Sequence, residues 1–200
     1  MLIKFIDCTE TQHETLDNVV NFLSNYFTNL GIKNQRIKFA DLKIAKCTQC
    51  RCCTLKKGEN PVKCVIKDDM NETLDEIEEA TAYVILADRN HLFSKNKIHE
   101  KVSERLVAYY YWPYTQNSAQ PRRLTLCKSS ILINYNTTKY FMNHSFYTSK
   151  MYMEHTSNAI GAKVIDWLAL TPTTDLTKTY IKRLKQMADN LIESIQKKAS

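Results

Sequence analysis

The densest chemistry in this chain lies between Asp41 and Met70, DLKIAKCTQCRCCTLKKGENPVKCVIKDDM, which holds five of the seven cysteines. Cys47, Cys50 and Cys53 repeat at C-x2-C-x2-C, and ten residues separate Cys53 from Cys64. A loop with thiolates at that spacing can fold back on one centre, which makes these four candidate ligands for an iron-sulfur cluster or for zinc. Without a metal they are a group of free thiols. Cys52 stands outside the ladder as a spare thiol, and Cys8 and Cys127 read as small buried or strand-adjacent hydrophobes.

The cysteine loop needs elements to hold it. Asp68, Asp69 and Met70 open a predicted helix in which Asp69 caps, Glu72 closes a capping box, and Met70, Leu74 and Ile77 form the apolar face. Upstream, Leu2 to Ile6 reads as a buried strand. Leu16, Val19, Val20, Leu23, Phe27 and Leu30 then recur at helical spacing, with Gly31 placed as the left-handed cap. Further strands are expected over 32–39, 82–87, 130–135 and 163–170, and further helices over 98–111, 147–160 and 175–196. Five strands alternating with five helices predict an α/β fold, a doubly wound parallel sheet in one domain spanning 1–200, with the cysteine-rich loop at 41–69.

The cysteine repeat, the run Cys64-Val65-Ile66-Lys67-Asp68-Asp69-Met70 and the strand that follows resemble the flavodoxin-like NAD(P)H-dependent FMN reductases, particularly their iron-sulfur flavoprotein branch. The resemblance implies a flavodoxin-like five-stranded sheet in the order 2-1-3-4-5, with helices on both faces and FMN above the carboxyl ends of strands one and three. It assigns Thr9, Thr11 and Thr15 to the FMN phosphate, Thr11 or Thr15 having helix capping as an alternative role. Ala87, Asp88, Arg89, Asn90 and His91 fall at the flavin ring edge, where His91 could stack and Arg89 could neutralise charge. Asn134 and Tyr135 complete the set at the end of strand four.

The resemblance further implies an oxidoreductase taking a hydride from NAD(P)H and passing electrons, directly or through a cluster on Cys47, Cys50, Cys53 and Cys64, to a small-molecule or protein acceptor. No catalytic side-chain acid or base is required. A homodimer is implied as well, for which Tyr109, Tyr110, Tyr111 and Trp112 are a candidate patch. Against this, the loop from Asp7 to Thr15 has no glycine and carries Asp7, Glu10 and Glu14, and the whole chain has three glycines. These features motivate a second expectation, a flavodoxin-like scaffold that has lost FMN and serves as a metal- or redox-sensing binding module.

With 28 Lys and Arg against 21 Asp and Glu, the net charge is +7. The bases are dispersed and lack aromatic interleaving, so a nucleotide cofactor suits the charge better than a nucleic-acid partner. No apolar run reaches a spanning or signal length, which predicts a cytoplasmic protein without a membrane partner and with cysteines reduced rather than disulfide-paired.

Overall fold

The computed structural model describes residues 1–89, 96–137, 149–172, 174 and 176–199. Strand β1 (Leu2–Asp7) is buried from Ile3 onward, and β3 (Ala82–Arg89) is buried from Ala82 to Asp88. Burial on both faces is the signature of interior parallel strands. The sheet has the order β2-β1-β3-β6-β7, with β2 at Lys33–Lys38, β6 at Lys128–Asn136 and β7 at Ala162–Leu170, every pairing parallel. Counting only these five strands, the order is 2-1-3-4-5.

Alternate residues of the sheet feed two apolar clusters. Ile3, Phe5, Val84, Leu86, Ile131 and Ile133 pack with Leu16, Val20 and Leu23 of α1 (Glu14–Asn29) and Leu184 and Leu191 of α5 (Lys178–Ala199). Ile6, Ile85 and Leu132 pack with Met70, Leu74 and Ile77 of α2 (Met70–Glu79), Val102 of α3 (Lys97–Arg105) and Met153 of α4 (Ser149–Ala159). Helix α1 ends as expected at Gly31, whose φ of +72° is left-handed. Gly31 N–H reaches Thr28 O at 2.9 Å and Ile32 N–H reaches Phe27 O at 2.9 Å, the double bond of a Schellman cap.

Three local expectations are corrected. The α1 N-cap is His13, without a side-chain cap bond, so neither Thr11 nor Thr15 caps this helix. Asp69 makes no side-chain cap bond for α2; its carboxylate accepts from Lys43 N–H at 2.7 Å instead. The helix expected over 98–111 ends at Arg105 and continues as a 3-10 turn, Leu106–Tyr109. Beyond the turn, the chain's backbone is claimed by tertiary partners. Trp112 N–H donates to Thr54 O at 2.8 Å, and β4 (Tyr110–Tyr111) pairs antiparallel with β5 (Gln120–Pro121).

Candidate functional site

The loops after β1 and β3 meet where the strand order reverses, and Cys8 N–H to Leu86 O at 2.9 Å holds them together. Asp7, at the end of β1, is fully buried, and Arg36 of β2 neutralises it through Nε at 2.8 Å. The other carboxylate oxygen of Asp7 accepts from both Thr9 N–H (2.9 Å) and Thr9 Oγ1 (2.7 Å). Thr9 is therefore turned inward onto Asp7. Thr15 lies within the first turn of α1 and is half-buried.

Asp88 organises the rest of the β1 loop. Its side chain is buried, and its Oδ1 accepts from Glu10 N–H at 2.9 Å and from Asn96 Nδ2 at 2.7 Å. Oδ2 accepts from Thr11 N–H at 3.1 Å, Thr11 Oγ1 at 3.0 Å and His13 Nε2 at 2.9 Å. A carboxylate only accepts, so His13 Nε2 carries the proton here. The orientation of Asn96 is set independently, since its Oδ1 caps α3 by accepting from His99 N–H at 2.7 Å. The His13 ring stacks on Tyr135, with centroids 4.0 Å apart and planes at 21°. Glu10 carries its own carboxylate to Lys97 N–H, the first residue of α3.

The remaining sequence candidates are divided by the sheet. Ala87 is buried in the apolar cluster shared with α2, α3 and α4. The Arg89 guanidinium is half-buried, burial lowering its pKa and Tyr152 opposing that shift. Asn134 pairs in register with Ala87, and its Oδ1 accepts from Trp167 Nε1 at 2.7 Å. That bond fixes the amide orientation and leaves the buried Asn134 Nδ2 as a donor with no partner among the described residues. Asn90 and His91 lie outside the described residues. Residue types and spacing missed His13, Asn96 and Arg36, each of which becomes a partner only through contacts between distant segments.

The cysteine loop is tied at its neck. Arg105 forms a bidentate pair with Asp68, at 2.6 and 3.0 Å, and donates to Ala45 O at 2.9 Å, while Asp68 also accepts from Ala45 N–H at 2.9 Å. Arg122, itself buried, donates to the carbonyls of Cys53, Lys56, Gly58 and Ala108 at 2.7 to 3.2 Å. The Arg51 guanidinium lies 4.0 Å from the Trp112 ring centroid and 4.9 Å from that of Tyr114, a cation-π clamp on the loop tip.

Within this frame Cys47, Cys50, Cys53 and Cys64 line one cavity of about 490 Å³, walled by Val107, Tyr110 and Trp112. Burial, with the neighbouring thiols of Cys64 and Cys47 adding to it, pushes Cys53 up to about 11. Cys50 is exposed, and hydrogen bonds from the Cys52 backbone and from Thr48 hold its pKa below the usual thiol value. Cys52 and Cys127 are exposed, the latter directly before β6, whereas Cys8 is buried. The four loop thiols share a cavity, and among the described residues no group of three or more Cys, His, Asp or Glu side chains that could hold a metal ion is found.

No protein-family profile matches this chain, and no curated protein matches it in sequence. Solved structures do match in shape. The chain is similar to a flavone reductase at 13% identity and a TM-score of 0.64, covering 98% of this chain and 63% of that one. It is thus about two-thirds as long as that reductase. It is also similar to a putative quinone reductase from Klebsiella pneumoniae, at 11% identity and TM-score 0.61 over 96% of this chain and 83% of the other. An FMN-dependent NADH-azoreductase from Bacillus anthracis, solved in complex with FMN, matches over 100% of both chains at 15% identity and TM-score 0.58. At these identities the likeness establishes the fold, and the fold is flavodoxin-like.

Proposed function

We propose that this protein is a flavin-dependent oxidoreductase. The observation that carries the reading is the meeting of the β1 and β3 loops at the strand-order reversal, the place where open α/β sheets bind ligands. The similar flavone, quinone and azo reductases support the same class. At the carboxyl ends of β3 and β6, Ala87, Arg89, Asn134 and Tyr135 would border a flavin ring, and the unpartnered Nδ2 of Asn134 is a buried donor suited to an acceptor atom on that ring. A bound flavin would supply hydride acceptance from NAD(P)H and delivery of electrons to a small-molecule or protein acceptor.

The phosphate of FMN does not fit the β1 loop in this arrangement. Of the groups that would hold it, the amides of Thr9, Glu10 and Thr11 and the hydroxyls of Thr9 and Thr11 already serve Asp7 and Asp88. Assembly as a homodimer belongs to the same reading. The half-buried Tyr110, Tyr111 and Trp112 and the exposed Tyr114 offer an aromatic surface for it.

The gathering of four thiols around one cavity also leaves room for a second reading, a thiol- or metal-responsive binding module. One experiment separates the two. Protein purified without oxygen is scanned in the visible range, assayed for NAD(P)H oxidation with FMN and with riboflavin supplied, and analysed for iron, sulfide and zinc. Flavin-dependent oxidation at several times the rate of free flavin is the expected result. No oxidation with either flavin, together with bound metal or metal-sensitive thiols, would transfer the function to the cysteine cavity.

A further inference from the structure

We propose that Asp88 is a specificity-determining residue. In this inference, which rests on the flavin reading above, its carboxylate occupies an oxyanion cradle at the switch point, so that the site admits a flavin without a phosphate in preference to the mononucleotide. At least five donors converge on this one carboxylate: Glu10 N–H, Thr11 N–H, Thr11 Oγ1, His13 Nε2 and Asn96 Nδ2. Backbone amides and hydroxyls converging on a point make an anion site. Here the anion is supplied by the protein, from a strand 78 residues away from Glu10 in sequence.

An ordinary loop aspartate bonds its own neighbouring backbone, as Asp7 does with Thr9 two residues on. Asp88, equally buried, instead reaches across to another loop. A phosphate brought to the same donors would have to displace that carboxylate or lie against it, and two anions at such separation repel. A neutral ribityl terminus meets no such conflict.

The test uses the full chain, Asp88→Ala, which removes the carboxylate, and Asp88→Asn, which keeps its shape without its charge. Thermal stability is measured with millimolar acetate or inorganic phosphate at constant ionic strength, and riboflavin and FMN affinities are measured by fluorescence quenching. The wild-type midpoint should be unmoved by either anion, and the wild type should bind riboflavin at least threefold more tightly than FMN. Asp88→Ala should lose stability and recover it with acetate or phosphate, and should bind FMN at least tenfold more tightly than riboflavin, with Asp88→Asn between.

Variants that gain nothing from either anion, including variants left unfolded with and without them, would overturn the proposal. So would a wild type that already binds phosphate or binds FMN as tightly as riboflavin. Anion rescue with no flavin bound by any of the three proteins would keep the cradle and remove the flavin reading. Flavin binding without rescue or FMN gain would do the reverse.

Discussion

Replacing Asp68 with alanine is expected to destabilise the protein by about 3 kcal/mol, because removing one partner of a buried ion pair leaves the other charge uncompensated. Arg105 is 2% exposed, and among the described residues it keeps its hydrogen bond to Ala45 O once Asp68 is gone. The same carboxylate joins residues 45 and 68, the two ends of the cysteine loop, so the loss acts on the loop as well as on the core. Urea unfolding should show the lowered midpoint. A thiol reagent should label Cys53 and Cys64 at least tenfold faster in Asp68→Ala than in wild type. Asp68→Leu combined with Arg105→Met should recover much of the stability, since an apolar replacement of both partners removes the unpaired charge. Stability of Asp68→Ala within about 1 kcal/mol of wild type would show that the pair does not hold the neck.

The pair also has a defined pH response. Desolvation alone would raise the Asp68 pKa, but hydrogen bonds from Arg105 and from Ala45 N–H more than reverse it, and the group sits below the usual carboxylate range. Its contribution is present at neutral pH and is lost as the pH falls through that depressed value. The aspartate pair before α2 therefore acts as a clasp on the cysteine loop. Spacing alone suggested a helix cap, because Asp-Asp before an apolar run satisfies both roles equally.

That ambiguity shows where sequence reasoning works and where it ends. Leu2 to Ile6 and Ala82 to Ala87 were legible as buried parallel strands, since continuous apolar runs between turns have few other uses. Gly31 was legible for a similar reason: its left-handed φ is a local property that a glycine announces. The end of α3 was not legible. Tyr109 to Trp112 continues a helical pattern, yet its backbone is taken by Arg122, Thr54 and Pro121, none of them local. The site divides in the same way. Loop positions at the switch point followed from topology, and Thr9 bonds Asp7 locally, but Thr11 and His13 belonging to Asp88 depends on a side chain crossing between loops. The cysteines were visible as a group and do share a cavity, while the arginines that tie their loop, Arg51, Arg105 and Arg122, bond backbone carbonyls that no spacing rule points to.

His99 gives the second large effect, a loss of stability on mild acidification. Its ring is buried between α3 and α4, with Nε2 at 2.8 Å from Thr156 Oγ1, and Ser103 Oγ stands 3.5 Å from that hydroxyl. Burial lowers its pKa from 6.5 to about 4, with the charge of Asp88 opposing only part of the shift. The unfolded chain thus takes up a proton between about pH 6.5 and 4 that the folded chain refuses, so stability falls as pH falls through this window. Between pH 7 and pH 5 the loss should be about 2 kcal/mol, or roughly 4–8 °C in the melting midpoint for a chain of this length. His99→Gln retains a side chain able to bond Thr156 but does not titrate. Its midpoint should be nearly flat over the same interval, apart from the carboxylates that respond at lower pH. An undiminished drop in His99→Gln would assign the effect to other groups.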